Sequence, residues 1–148
     1  MADSLKEKVR SDLNQARKDR DKHRTVLLTT ILSDIKNREI ELMRDATDAE
    51  VVEVVNRGIK RRKEAAEQMR AGSRVELAEK EEEEVRQLSA YLPEQLSEGD
   101  VRALIREAIA GGANATGPIM GKIAAKIKGR FDGKAANRLV QEELESSK

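Results

Sequence analysis

The sequence predicts an all-α protein: an N-terminal bundle of long helices followed by a small three-helix C-terminal domain. Three observations predict it. Charged residues make up 39% of the 148 residues and aromatic residues only 1%, a mix that suits amphipathic helices with thin aliphatic cores and solvated faces. Leu, Ile and Val recur at three- and four-residue spacing rather than in alternation. Ser, Thr and Asp stand ahead of those stripes, and Gly or Pro follow them, as helix starts and stops require.

Taken in order, Asp3 or Ser4 can cap a first helix carrying Leu5, Val9, Leu13 and Ala16. The charged stretch from Arg17 to Arg24 holds a bend or the next helix start. Val26, Leu27, Ile31, Leu32, Ile35 and Leu42 mark a second helix to about Met43. Thr47 and Glu50 form a capping box ahead of Val51, Val52, Val55, Ile59, Ala66 and Met69. The β-branched run Val51–Val55 is read as helix because of that cap and its neighbouring glutamates. Gly72 is expected as a left-handed stop. Ser73 and Glu76 form a second capping box, opening a fourth helix with Leu77, Val85, Leu88 and Tyr91, to about Leu92.

Pro93 is the strongest break and sets the expected division, 1–93 and 94–148. Ser97 and Asp100 reopen a helix with Val101, Leu104, Ile105, Ala108 and Ile109 on one face. Residues 111–115 form a loop. Thr116 is expected to cap the next helix, with Pro118 in its first turn and Ile119, Ile123 and Ile127 as its stripe. Gly129 ends it. Asp132 caps a last helix carrying Leu139, Val140 and Leu144.

Several function classes are disfavoured. There is no cysteine, hence no disulfide and no thiolate metal site. The start, Met-Ala-Asp-Ser-Leu-Lys-Glu-Lys, lacks the apolar core of a signal peptide and the acid-poor character of a transit peptide. No apolar run approaches the roughly 20 residues of a membrane span. A cytoplasmic protein without membrane contact is expected. The single histidine, His23, reads as a surface residue, so neither a Ser-His-Asp arrangement nor a His-rich metal cluster is expected. Glu79 and Glu81–Glu84 read as a solvent face, because a dinuclear carboxylate bundle would need inward Glu-x-x-His pairs. Gly112–Lys122 fails as a phosphate loop, since Ile123 follows Lys122 and no strand precedes it. No catalytic, cofactor or metal residues are assigned.

The informative segment is Met120–Lys134. The overall net charge is +1, but residues 118–140 hold six bases (Lys122, Lys126, Lys128, Arg130, Lys134, Arg138) against one acid, Asp132. Lys122 and Lys126 lie one turn apart, off the Ile stripe. Lys128, Arg130 and Lys134 surround the turn, and Arg138 lies one turn beyond Lys134. Two short helices joined there can aim several cations at one phosphate surface, with the last helix N-terminus adding donors. From the residues alone, a solvated basic face is the competing reading. Single-strand binders stack bases on aromatic rings, and only Phe131 is available here, so shape recognition of a folded RNA fits better. Lys60-Arg61-Arg62-Lys63 reads as a charged helix face, because acids follow on the same helix.

The pattern Met-Gly-Lys-x3-Lys-x-Lys-Gly-Arg-x-Asp-Gly-Lys-x2-Asn-x-Leu-Val-x-Glu-x-Leu from Met120 to Leu144 resembles the GatB/YqeY family. So do Leu88–Leu96 (L-S-A-Y-L-P-E-Q-L, a Y-x-P-x-Q-L connector) and Leu27–Glu41 with I-L-S-D-I-K-N-R-E-I-E. The family includes free-standing YqeY-like proteins and the tail of the B subunit of Asp/Glu-tRNA amidotransferases. The resemblance implies an N-terminal helical domain, a three-helix C-terminal domain, and a tail-like surface that contacts tRNA. It carries Lys122, Lys126, Lys128, Arg130, Lys134 and Asn137 over as RNA-binding positions, to which Arg138 adds its charge. The cradle that carries the B subunit's chemistry has no counterpart, so a label of carbon–nitrogen ligase with glutamine as amido donor describes relatives better than this chain. The expectation is a tRNA-binding or tRNA-associated accessory protein without a complete active site. The alternative is a helical adaptor for an amidotransferase or synthetase subunit, using the Val51–Val55 region of the N-terminal unit.

Overall fold

In a computed structural model, residues 4–148 are described, and among them there are seven helices and no strand. The chain divides into two compact units, the first ending at Leu92 and the second running Pro93–Lys148.

The first unit holds α1 (Leu5–Lys18), α2 (Lys22–Leu42), α3 (Asp48–Ala71) and α4 (Val75–Ser89). Ser4 caps α1, its Oγ accepting from Glu7 N; Asp3 lies outside the described residues. The bend in the charged stretch is at Arg20, which takes a left-handed φ of 58°, and Asp21 caps α2. The Thr47–Glu50 capping box forms in both directions. Val51, Val54 and Val55 are helical and buried, in a core with Val9, Leu28, Ile31, Ile35 and Leu88.

Two expected helix signals resolve differently. Gly72 is not left-handed (φ −90°); Ser73 is, at 62°. Arg74 N donates to Met69 O and Ser73 N to Arg70 O, so the closing hydrogen-bond pattern falls one residue later than the glycine suggests. Ser73 is thereby spent on closing α3, and α4 starts from Arg74 with no side-chain cap instead of the expected Ser73–Glu76 box. Val26 and Leu77, expected on apolar stripes, are 65% and 46% exposed, because neither turns toward the other helices of this unit.

The second unit holds α5 (Glu98–Ala110), α6 (Thr116–Ile127) and α7 (Gly133–Ser146). The Ser97–Asp100 capping box opens α5. Thr116 is not a cap but the first helical residue of α6, after Ala115. Val101, Ile105, Ile119, Ile123, Ile127, Leu139 and Val140 form the core. At roughly 25 cal/mol per Å2 of apolar surface, such a small aliphatic core needs help. The connector supplies some: Leu96 N donates to Arg130 O, and Gln95 Nε2 donates to Gly129 O. Leu96 itself packs on the core. Tyr91, the other anchor of the Y-x-P-x-Q-L segment, is buried in the first unit and donates to Asp12; burial and that carboxylate push its phenol above the ordinary range.

Candidate nucleic-acid interface

The candidate surface is built on α6, α7 and the turn between them. The Ile119–Ile123–Ile127 stripe is buried, and Lys122 and Lys126 follow it by three residues on one flank. Four residues of helix separate them by about 6 Å of rise, and both are exposed. The turn works because Gly129 accepts a left-handed φ of 74° and Asp132 caps α7, its carboxylate accepting from Ala135 N. Lys134, Asn137 and Arg138 are exposed on the face of α7 away from Leu139 and Val140.

Electrostatically the surface is unbalanced. Asp132, the one acid of the segment, is occupied as a cap. Among the described residues Lys122, Lys126, Lys134 and Arg138 form no ion pair. Lys128 is exposed at the cap of α6. The Lys122 ammonium hangs beside Gly111, where a Cβ would stand 3.4 Å from it, at the negative end of α5.

Arg130 is placed differently from the other cations. It is half-buried, its Nε donates to Glu94 O at 2.9 Å and its Nη1 to Lys126 O at 3.3 Å. Its first role is to fasten the connector to the turn. Phe131 is also half-buried; it packs on the core and lines a shallow apolar groove with Met120, Ala124 and Gly133.

The α5–α7 side of the same unit is the reverse case. Arg102 binds Glu98, Glu142 and Glu143, and Arg106 adds a second bond to Glu143 at 3.0 Å. Glu143 is 6% exposed, and Arg106 and Arg102 hold its carboxyl below the usual range. Glu39 is similarly buried in the first unit, bound by Lys6 Nζ and by the Ala46 amide, which lower its carboxyl too. These two glutamates were missed by the sequence reading; each lies beside apolar residues of its own stripe, the only signal that could have found it.

The acidic run also differs from expectation. Glu84 turns inward to Arg62 at 3.2 Å and to His23 at 3.3 Å, so His23 is half-buried at a three-helix contact rather than an ordinary surface residue. Glu82 pairs with Arg70 and Glu83 with Arg86. Among the described residues, no group of three or more acids and histidines converges as around a metal, and no helix is long and apolar enough to cross a membrane.

Comparison with known proteins finds relatives over much of the chain. The chain is 36% identical over 94 residues to an uncharacterized protein of Schizosaccharomyces pombe, covering 64% of this chain and 76% of that one. It is 26% identical over 141 residues to a Pyrenophora tritici-repentis protein named altered inheritance of mitochondria protein 41, mitochondrial, covering 91% and 78% respectively. Residues 6–144 match the family described as Yqey-like protein. With nearly its whole length matched, from α1 to the last turns of α7, this chain belongs to the YqeY family.

Proposed function

We propose that this protein is a tRNA-binding or tRNA-associated accessory protein, related to the tRNA-dependent amidotransferases, that contacts folded RNA through α6 and α7. The observation that carries the reading is the charge imbalance of that surface. Six bases stand against one acid over residues 118–140, and four of the six form no ion pair among the described residues. Phosphate contacts made by such cations release counterions, so affinity falls steeply with salt. The scarcity of exposed aromatics favours backbone and shape recognition over base stacking. Lys122, Lys126, Lys134 and Arg138 make the primary contacts, with Lys128 and Asn137 beside them, while Arg130 holds the turn in place.

The test is binding of unmodified tRNA across a salt series, with Lys122→Ala/Lys126→Ala/Lys134→Ala in parallel. Binding that weakens with salt and is lost in the variant supports the reading. No binding at low salt overturns it and moves the weight to a protein adaptor. In that case the docking face is not Val51–Val55, three of whose residues are core, but the outer side of α2. There Val26, Ile40 and Met43 are 65%, 64% and 90% exposed.

A further inference from the structure

The basic run at residues 60–63 is divided by the fold. Arg62 turns to Glu84, while Lys60 and Arg61 line an open cleft of about 500 Å3 between α2 and α3. Arg38 and Asn37 reach the same cleft from α2, Arg57 from α3, and Val54 forms an apolar part of its wall. Its size falls within the ~300–1,000 Å3 common for small-molecule sites.

Its charges are unevenly committed. Arg61 leans on Asp34 at 3.4 Å, and Arg38 Nη1 donates to Glu41 at 3.0 Å. Arg57 and Lys60 form no ion pair among the described residues. Arg38 is the most telling group. Its Nε is buried and has no hydrogen-bond partner, and a buried donor left unmet is costly to the fold. The Nε–Nη2 edge of a guanidinium is one of the two that can grip an oxyanion with two parallel bonds. A small rotation of Arg38 into the cleft would trade an orphaned donor for such a grip.

We propose that the α2–α3 cleft is a binding site for a small phosphate-bearing anion, held by Arg38, Arg57 and Lys60. The acids decide between a small ligand and a long one. Asp34, Glu41 and Glu64 also line the cleft and repel a polyanionic strand running across it, whereas one phosphate or diphosphate group fits among the three cations. Val54 favours a ligand with an apolar portion next to its phosphate. This site is in the first unit and is independent of the RNA surface proposed for the second.

The experiment is an amide-resolved NMR titration of the full chain with inorganic pyrophosphate, against sodium chloride at matched ionic strength. A short RNA duplex is titrated separately as the alternative source of phosphate. The expected result is a saturable response over residues 34–41 and 54–64 with pyrophosphate. It should weaken at least about tenfold in Arg57→Gln/Lys60→Gln, two exposed positions whose replacement leaves the core intact, since a charge-assisted bond contributes roughly a factor of ten or more. Arg38→Lys keeps the charge but loses the fork, and should weaken binding by a smaller factor. Lys122→Ala/Lys126→Ala should leave it unchanged. A response equal to that of chloride, one centred on α6 and α7, or one at the cleft with the duplex but not with pyrophosphate would overturn the proposal.

Discussion

In the first unit, cations answer carboxylates across helix boundaries. Lys6 reaches Glu39, Arg62 reaches Glu84 and Arg70 reaches Glu82. On the α6–α7 surface Lys122, Lys126, Lys134 and Arg138 form no ion pair among the described residues. The difference teaches that net charge is a poor guide to this protein. A chain with a formal charge of +1 pairs part of its ions within its own fold and still gathers six bases against one acid over residues 118–140. Paired ions hold helices together, and unpaired ones remain available to a polyanion.

That contrast can be broken most sharply at the unpaired surface. Lys122→Ala/Lys126→Ala/Lys134→Ala should lower tRNA affinity between about tenfold and a hundredfold at low salt. It should also flatten the log–log salt dependence by about two to three while leaving the thermal midpoint nearly unchanged. An unchanged salt slope would sink the assignment of that surface.

Arg62→Met should do the opposite. It strands the largely buried Glu84 without its guanidinium partner, costing about 2 kcal/mol in urea unfolding, with RNA affinity unaltered. If stability were untouched, the pairing would be ornamental. Ser97→Ala, which removes one arm of the α5 capping box, should cost about 1 kcal/mol, read in the unfolding of the second unit.

The smallest effect concerns acid. Arg44 first, then the Thr47 amide, draw the Glu50 carboxyl from 4.5 down to about 2. A folded-state value below the unfolded one stabilises above the unfolded value and is lost as pH falls through the folded one. Glu50→Gln should therefore leave a flatter stability profile between pH 4.5 and about 2. An identical acid limb in the variant would show that the pair contributes nothing.

Much of the fold was legible because helix signals are local. The Thr47–Glu50 and Ser97–Asp100 boxes, the Asp132 cap and the three-isoleucine stripe of α6 each depend on neighbours within one or two turns. The misses have a common cause. Gly72 and Ser73 compete for one left-handed position, and the closing bonds to Met69 and Arg70 settle the choice. Val26 and Leu77 sit at helical spacing, but no helix of their unit covers them. Arg61 and Arg62 are adjacent in sequence, yet one faces a cleft and the other a glutamate on α4, because successive helical residues point about 100° apart.

The candidate surface was partly legible for the same reason. Six bases with one acid in 23 residues can be counted directly, and periodicity places Lys122 and Lys126 off the buried stripe. That Arg130 is tied to the connector could not be read, because its partner Glu94 lies 36 residues away. The sequence alone determined the helices, the caps at Ser4, Thr47, Ser97 and Asp132 and the position of the excess charge, since each is set by interactions within a few residues. Only the tertiary structure decided which ions are paired, which carboxylates are buried and where a cleft opens. Those depend on which helices of a unit come to lie against one another, and a charge acquires its partner only when distant segments meet.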